Sequence, residues 1–291
     1  MEAKGLISVV VPSYNTPEEY LAVLYRSLLA QTYQEFEVWI VDDCSQFDFY
    51  EMLEDARFKV ERMACNGGPA KCRNRGAELA RGEMIFFTDS DCELAPDTLA
   101  QVAMGLSKEK VIMGDTVTKT KTFFGTCVAY LGFPGGGILG FERVWKVDEQ
   151  GYTDSISSCN LAVRKNFFNE MHRFNTTFPV AGGEDTYFSK KIVAKSEKIW
   201  YNKKQVVYHV ERGDLKGFLR WQITRGRGNY HIKKNLGSVG GFYRLRLWSF
   251  WNSIRASGWR FPVVMLLILL SVIYQAKGYR MERKNQERAA A

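Results

Sequence analysis

The chain has 291 residues, of which 46% are hydrophobic and 25% are charged, and this composition excludes disordered, collagen-like and coiled-coil proteins. A chain of this length buries a large core without the help of disulfides or a structural metal. The formal net charge of +8 is typical of a nucleic-acid-binding protein, but residues 1–211 carry 24 basic and 29 acidic side chains, whereas residues 212–291 carry 16 and 3.

Strand and helix patterns alternate along the first third of the chain. Apolar, β-branched runs predict buried strands at residues 7–11, 37–41 and 84–88. Apolar residues at helical spacing predict a helix from Pro17, with Thr16 as its N-cap, and a second helix over residues 68–81. This alternation is typical of an α/β fold with a mostly parallel sheet flanked by helices.

Polar side chains stand where each of these strands ends. In parallel sheets of this kind, ligands bind beyond the carboxyl ends of the strands, so we expect the polar clusters to form one site. The clusters are Ser13-Tyr14-Asn15, Asp42-Asp43 and Asp89-Ser90-Asp91.

The middle of the chain is less regular. Residues 132–140 are glycine-rich and predict a mobile loop, and residues 158–163 and 206–210 predict short strands. A helix is expected over residues 186–194, with Glu184 and Asp185 at its start. Neither a P-loop nor a G-x-G-x-x-G motif follows the first strand, so neither nucleotide-binding fingerprint is present.

Cysteine spacing and the N-terminus bear on the compartment. The six cysteines contain no C-x-x-C pair, which favours reduced thiols in the cytosol. The first fifteen residues lack the pattern of a secretory signal peptide. We therefore expect a cytoplasmic location.

The basic residues 212–291 predict a helical tail in which aromatic and cationic side chains interleave. Residues 261–276 carry no charge and are flanked by Trp259 and Tyr274, as in membrane segments, although a spanning helix needs about 20 apolar residues. Three interpretations stay open: a spanning or re-entrant helix, an interfacial anchor, and a buried helix of a soluble protein. We expect the tail to bind anionic lipid, because an RNA-binding tail would not need the apolar segment.

Two acidic motifs and one histidine are candidates for chemistry. Asp89 and Asp91 can bind one hard cation together, or they can form a solvated acidic loop. Glu184 and Asp185 can supply a general base, although the helix dipole also favours acidic side chains at a helix start. His209 is a candidate third metal ligand or a structural histidine.

Taken in chain order, these motifs resemble those of family 2 glycosyltransferases, whose GT-A fold is a Rossmann-like α/β domain. The resemblance covers about residues 6–211 and rests on residues 7–15, 31–33, 38–45 and 66–74 and on the two acidic motifs. It implies that the first strand holds the nucleobase, that Asp42 contacts the base and that Arg73 contacts the diphosphate. The residues expected to bind substrate are Pro12, Ser13, Tyr14, Asn15, Asp42, Asp43, Asn66, Gly68, Arg73, Asn74, Asp89, Ser90, Asn160, Gly183 and Arg225.

The resemblance also implies a mechanism. Mg²⁺ or Mn²⁺ on Asp89, Asp91 and His209 would stabilise a nucleoside diphosphate leaving group. Asp185 and Glu184 are the expected catalytic residues, with Asp185 taking a proton from the acceptor hydroxyl during a single, inverting displacement. We expect a nucleotide-sugar donor, with a UDP-sugar favoured, a lipid-linked or cell-surface glycan acceptor, no nucleic acid partner, and a location at the cytoplasmic face of the membrane.

Three features refine this expectation. Cys44 stands after the second strand where the family more often has glycine, which leaves the expected fold unchanged. Processive synthases carry Q-x-x-R-W, whereas Gly226 follows Arg225 here, so we expect a non-processive enzyme. Residues 132–136 or a loop after Gln222 are expected to close over the donor.

Two other functions fit parts of the sequence. A nucleotidyltransferase of similar topology needs a glycine-rich basic loop after the first strand, and residues 13–16 are not such a loop. A non-catalytic glycan-binding or nucleic-acid-binding module does not need both acidic motifs and His209. A glycosyltransferase therefore explains more of the sequence than either alternative.

Overall fold

The computed structural model of the chain describes residues 5–178, 182–211, 213–237 and 240–290. The strands are β1 (Ile7–Ser13), β2 (Phe36–Asp42), β3 (Phe58–Arg62), β4 (Met84–Thr88), β5 (Cys92–Leu94), β6 (Val111–Lys119), β7 (Tyr152–Thr153), β8 (Asn160–Arg164) and β9 (Ile199–Val210). The helices are α1 (Glu18–Leu29), α2 (Pro69–Leu79), α3 (Thr98–Leu106), α4 (Phe123–Ala129), α5 (Lys165–Glu170), α6 (Glu184–Ala194), α7 (Leu215–Leu236), α8 (Gly240–Ala256) and α9 (Phe261–Ala290).

The strands form one sheet in the order β3-β2-β1-β4-β8-β6-β9-β5, and β7 pairs with β9. The first four strands are parallel, β8 is antiparallel to both β4 and β6, and β9 is parallel to β6 but antiparallel to β5 and β7. The predicted α/β sheet flanked by helices is confirmed. Its parallel part is the region where strands and helices alternate in the sequence, and the remaining strands make the sheet mixed.

Helices cover the parallel strands on both faces. Val10 packs on one face with residues of α2, whereas Val9 and Val11 pack on the other face with Leu21 and Leu24 of α1. The β1 run is apolar at every position because both of its faces are buried. The ends of the strands are thus the part of this sheet that is open to a ligand. Helix α1 begins at Glu18 with Pro17 as its N-cap, one residue later than expected.

The glycine-rich residues 132–140 contain no helix or strand, as expected, but they are packed rather than mobile. Gly135 and Gly137 are buried, and the amide of Thr118 donates a hydrogen bond of 3.0 Å to the Gly137 carbonyl. A Cβ atom at Gly137 would lie 2.1 Å from the carbonyl oxygen of Ala129. Glycine is required there for close packing.

The C-terminal helices share a core with the rest of the molecule. Val264 and Leu267 of α9 are buried with Cys127 and Val128 of α4 and with Phe218 of α7. The change of composition near residue 211 is therefore not a boundary between separately packed cores. The expected loop after Gln222 is also absent, because Gln222 is buried in the middle of α7.

Two reciprocal glycine contacts bring α7 and α9 together. A Cβ atom at Gly226 would lie 2.1 Å from the carbonyl oxygen of Gln275, and a Cβ atom at Gly278 would lie 2.1 Å from that of Ile223. Nearby, the buried Glu282 accepts hydrogen bonds from Arg227 (2.7 Å) and pairs with a ring nitrogen of His231 (3.0 Å). These contacts fix α9 against α7 along its C-terminal half.

The opposite face of α9 is apolar and exposed. Leu266, Leu269, Val272 and Ile273 are each more than half exposed. Among the described residues, one helix, Gly258–Arg288, has the length and composition to cross a membrane. Its other face is buried against α4 and α7, so the helix presents to its surroundings only one apolar side.

Candidate active site

A cleft of about 590 Å³ opens where β1, β2 and β4 end. Its walls contain twelve of the residues that the sequence predicts for substrate or metal binding. They are Pro12, Ser13, Tyr14, Asn15, Asp43, Asn66, Gly68, Arg73, Asp89, Ser90, Asp91 and His209. Residues that sequence reasoning did not assign to the site complete the walls, among them Tyr20, Cys72 and Thr224.

Side-chain hydrogen bonds connect the ends of β1 and β4. The hydroxyl of Thr16 lies 3.0 Å from that of Ser13 and 2.7 Å from that of Ser90. On the other wall, the carboxylate of Asp43 accepts hydrogen bonds from the amides of Gly67 (2.6 Å) and Gly68 (2.8 Å), at the start of α2. Hydrogen bonds between polar groups thus connect segments within the walls of the cleft.

Arg73 links the two acidic motifs. Its side chain is buried, and its guanidinium donates to Asp89 (2.7 Å) and to Glu184 (2.9 Å). Burial lowers the pKa of Arg73, but Asp89 and Glu184 raise it, and the net shift is upward. Arg73 therefore stays cationic at the floor of the cleft, between motifs that are about 100 residues apart in sequence.

Glu184 and Asp185 are adjacent in sequence but differ in environment. Glu184 is buried, pairs with Arg73 and accepts a hydrogen bond of 2.9 Å from the amide of Gly182. Burial and the neighbouring Asp185 raise the pKa of Glu184 above its usual value. Asp185 instead lines a second cavity of about 90 Å³. These positions fit Asp185 to react with a substrate and Glu184 to position Arg73.

Asp91 and His209 come together because β5 pairs with β9, with Cys92 opposite His209. The Asp91 carboxylate lies 3.2 Å from Nε2 of His209, and Nδ1 of the same ring lies 2.8 Å from the carbonyl oxygen of Val210. Since a carbonyl only accepts, Nδ1 carries a hydrogen and Nε2 faces Asp91. Burial lowers the pKa of His209, but Asp91 and other neighbours raise it, and the net shift is upward.

These donors fit a divalent cation. Potential ligand atoms of Asp91, Cys92 and His209 lie within 4.8 Å of one another. Burial and a hydrogen bond with Cys159 raise the pKa of the Cys92 thiol well above its usual value, which disfavours the thiolate form that binds metal. A carboxylate and an imidazole remain, which suit Mn²⁺ or Mg²⁺. Asp89, the third predicted ligand, is bound to Arg73.

Three predicted substrate-binding residues do not line the cleft. Asp42 is fully buried and accepts a hydrogen bond of 2.9 Å from the hydroxyl of Tyr50. Asn74 is hydrogen-bonded to the backbone of Phe174, at 2.9 and 3.1 Å. Asn160 is buried in β8 and donates to backbone carbonyls of β6 and β9. Each side chain supports the fold behind the site.

The second cavity contains the remaining predicted residues. Gly183 and Arg225 line it beside Asp185, together with Trp145 and Arg246, which sequence reasoning missed. Gly183 has φ +109°, and a Cβ atom there would lie 2.9 Å from side chains of two neighbouring elements, so glycine is required. Arg246 carried no signal in the sequence, because it is one of many cations in residues 212–291.

Comparison with known proteins identifies related sequences. Residues 8–193 match the profile of glycosyl transferase family 2. A segment of 103 residues is 41% identical to the poly(ribitol-phosphate) beta-N-acetylglucosaminyltransferase TarS of Staphylococcus aureus, and a segment of 91 residues is 43% identical to the glycosyltransferase GlyG of Streptococcus pneumoniae. These segments are 33% and 30% of this chain, and they span 18% and 30% of the relatives.

Solved structures show the same fold. The mannosyltransferase PcManGT from Pyrobaculum calidifontis, in complex with GDP-Man and Mn²⁺, superposes with a TM-score of 0.58 at 18% identity, over 99% of this chain and 81% of that one. Residues 1–349 of TarS from S. aureus, in complex with UDP, superpose with a TM-score of 0.54 at 20% identity, over 97% of this chain and 91% of that one. At these identities the likeness concerns the fold alone.

Proposed function

Because the chain belongs to glycosyl transferase family 2, we propose that it is an inverting, metal-dependent, non-processive glycosyltransferase. The donor is a nucleotide-diphosphate sugar, with a UDP-sugar favoured, and the acceptor is a hydroxyl of a lipid-linked or cell-surface glycan. The observation that carries this proposal is the gathering of Arg73, Asp89, Asp91 and His209 on one cleft, with Asp185 in the adjoining cavity.

The donor occupies the cleft at the ends of β1, β2 and β4. Arg73 contributes a permanent positive charge beside Asp89, which suits a diphosphate. Two proteins of the same fold support this choice, since one was solved with UDP and the other with GDP-Man and Mn²⁺. A divalent ion on Asp91 and His209, with Asp89 as a third ligand, would supply positive charge to the leaving diphosphate.

Asp185 is the general base. It takes the proton of the acceptor hydroxyl while the hydroxyl oxygen bonds to the anomeric carbon and the nucleoside diphosphate leaves with the electron pair of the broken bond. Attack from the face opposite the leaving group inverts the configuration, and no covalent enzyme intermediate is needed. The supporting observation is that Asp185 lines a cavity while its neighbour Glu184 is buried in an ion pair.

Non-processive transfer is supported at Gly226. This position follows Arg225, where processive synthases carry a tryptophan platform. In this chain Gly226 faces the backbone of α9, and even a Cβ atom would lie 2.1 Å from the carbonyl oxygen of Gln275. The packing of α7 on α9 leaves no room for an aromatic platform at this point.

The enzyme works at a membrane surface. The exposed apolar face of α9 continues to Trp259, which is 73% exposed, and Arg260 and Lys277 lie at the ends of the uncharged segment. Because the other face of α9 is buried against α4 and α7, we infer that the helix lies on the membrane rather than crossing it. Cations at its ends suit anionic headgroups.

Metal-dependent nucleotide binding tests the proposal. UDP should raise the melting temperature of the purified chain in the presence of Mn²⁺ or Mg²⁺ and much less in EDTA. Asp91→Asn should remove the metal-dependent part of this stabilisation, whereas Asp148→Asn, which changes an exposed acid far from the cleft in sequence, should retain it. Equal stabilisation of the wild-type chain with and without metal would reject metal dependence.

A further inference from the structure

A third cavity, of about 430 Å³, lies between α7, α8 and α9. It shares five wall residues with the cavity that contains Asp185. They are Phe133, Arg225, Asn229, Ile232 and Arg246. The two cavities therefore adjoin, and a molecule seated between the helices can extend one end toward Asp185. The volume is within the range of roughly 300–1,000 Å³ that small-molecule sites usually have.

The walls of this cavity are strongly basic. Of the described residues that line it, four are cationic and none is acidic. The four are Arg225, Lys233, Arg246 and Arg280. The guanidinium groups of Arg225 and Arg246 both lie over the ring of Phe133, at 3.9 and 4.3 Å from its centroid. Burial and the charge of Arg225 lower the pKa of Arg246, whereas Asp185 raises it, and the net shift is downward. An anion bound beside both guanidinium groups would favour their charged forms.

Guanidinium groups are suited to one class of anion. Their planar arrangement of N–H donors matches the oxygens of a phosphate, and two of them side by side match a phosphate or diphosphate. The predicted donor diphosphate has a separate position in the acidic cleft, beside Arg73 and Asp91. Arg225 and Arg246 lie outside that cleft, and both line the cavity of Asp185, where they can contact a second phosphate-bearing molecule on the acceptor side.

The remaining walls are apolar and lead to the outside. Leu131 and Phe250 line the cavity from the protein side. Val272 is a wall residue that is also 56% exposed, and it belongs to the apolar face of α9. The cavity therefore reaches the surface at the face that we propose to lie on the membrane. A hydrocarbon chain can leave the cavity there without crossing a polar surface.

We propose that this cavity is the acceptor subsite, and that the acceptor is a lipid-linked phosphate or diphosphate carrying a saccharide or other hydroxyl group. This inference rests on the proposed glycosyltransferase activity and specifies its acceptor. The phosphate binds Arg225 and Arg246, the hydrocarbon chain lies along Val272 toward the membrane, and the hydroxyl reaches Asp185. In transfer, the hydroxyl oxygen gains the bond to the sugar, Asp185 takes its proton, and the nucleoside diphosphate leaves.

Binding of simple amphiphiles to the full chain tests the subsite directly. The probes are dodecyl phosphate below its micelle concentration, inorganic phosphate, and the neutral dodecyl glucoside, each titrated by calorimetry. Dodecyl phosphate should bind at least about tenfold more tightly than either of the others, because it alone satisfies both the cations and the apolar walls.

Three variants locate the binding. Arg246→Gln should weaken dodecyl phosphate binding about tenfold and leave dodecyl glucoside binding unchanged. Ala276→Trp, at an exposed position on the cavity wall, should weaken both dodecyl compounds without disturbing the core. Arg255→Gln removes the same charge from an exposed position of α8 outside the cavity, and it should bind all three probes as the wild type does.

The outcomes separate this inference from the proposed function. Equal affinity for inorganic and dodecyl phosphate would overturn the lipid-linked acceptor in favour of a soluble phosphorylated one. Equal affinity for the phosphate and the glucoside would overturn the role of the cations. Metal-dependent UDP binding is measured on the same samples, and it should be intact in all three variants. If the wild type did not bind UDP in a metal-dependent way, the proposed function itself would be contradicted. If it bound UDP but no amphiphile, only the acceptor subsite would be contradicted.

Discussion

The two regions that meet at Asp185 use charge in opposite ways. In residues 1–211, carboxylates stand at strand ends and are each matched at short range, as Asp89 is by Arg73 and Asp91 by His209. In the basic residues 212–291, most charges lie on the outside of helices, and a few cations turn inward around cavities. The overall charge of +8 is the sum of two regions whose net charges have opposite signs.

The two regions are also held together differently. The sheet is stabilised by apolar strands that helices cover on both faces. The C-terminal helices also share an apolar core with α4, but they depend in addition on backbone contact at Gly226 and Gly278 and on the buried carboxylate of Glu282. We therefore expect the packing of the C-terminal helices to be sensitive to added side-chain volume at their contacts. The cleft should instead be sensitive to the removal of a charge.

The largest effect is expected at Asp185, where the two regions meet. Asp185→Asn removes the base and should lower the transfer rate about a thousandfold, as losses of general bases do. The variant should still bind UDP with metal, because Asp185 lies outside the donor cleft. Initial rates with a radiolabelled nucleotide-sugar measure the first quantity and thermal shift the second. Glu149→Gln, at an exposed position, is the control, and transfer at the wild-type rate by Asp185→Asn would contradict the assigned role.

The next largest effect concerns the stability that the contact between α7 and α9 contributes. Gly226→Ala should lower the free energy of unfolding by about 2 kcal/mol, because the added methyl group meets the carbonyl of Gln275. Gly213→Ala, where nothing lies within 4 Å of the added atom, should change it by less than about 0.5 kcal/mol. Urea unfolding measures both. Similar values for the two variants would mean that the contact between α7 and α9 adds no stability.

The apolar face of α9 should determine membrane binding. The double variant Leu269→Glu and Ile273→Glu should lower partitioning onto vesicles of anionic lipid at least about tenfold. Both side chains are exposed in the protein, and after substitution neither can bury apolar surface in the lipid. Melting temperature should change little, because both side chains are more than half exposed. Co-sedimentation measures the binding. Met104→Glu, on α3, serves as the control, and unchanged sedimentation of the double variant would exclude this face as the membrane contact.

The smallest effect concerns acid. Burial raises the pKa of Glu37, but hydrogen bonds from the Arg81 amide, Lys59 and Ser8 lower it by more. The net effect is a pKa of about 2 instead of the usual 4.5. A carboxylate with a lowered pKa stabilises the fold above pH 4.5, and this contribution is lost as the pH falls toward 2. Because its cationic partners are partly exposed, we expect a loss of about 1 kcal/mol over this interval.

Glu37→Gln is the variant that isolates this loss. Its free energy of unfolding in urea should be lower than that of the wild type at pH 6, and the difference should shrink at pH 2.5. A difference that stays constant with pH would show that Glu37 stabilises the sheet by packing and not by its charge. Glu19→Gln, at an exposed position of α1, should show no such dependence.

Much of the sheet and of the donor cleft could be predicted from the sequence. Strands buried on both faces are continuous apolar runs, and the polar residues that end them must lie at one edge of a parallel sheet. Strand β3 was missed, because its five residues (FKVER) alternate in burial and contain two cations and one acid. The sequence does not indicate that the side chains of Asp42, Asn74 and Asn160 lie outside the cleft, because chain position does not tell which way a side chain points.

The C-terminal helices show the limit of sequence patterns. The uncharged segment 261–276 predicts α9, but both the exposed and the buried face of α9 are apolar. Periodicity therefore cannot indicate which face packs on α4 and α7. Nor can it single out Arg225 and Arg246 from the other cations, because their distinction is a shared position over Phe133.

The sequence by itself determined the family, the α/β sheet and twelve of the residues that line the cleft, because these depend on local patterns and on motifs in fixed chain order. Only the tertiary structure decided how Arg73 joins the two acidic motifs, which face of α9 is exposed and how the helices enclose the basic cavity. The physical reason is that these features arise from contacts between segments far apart in the chain, whose geometry is set by packing and not by local propensity.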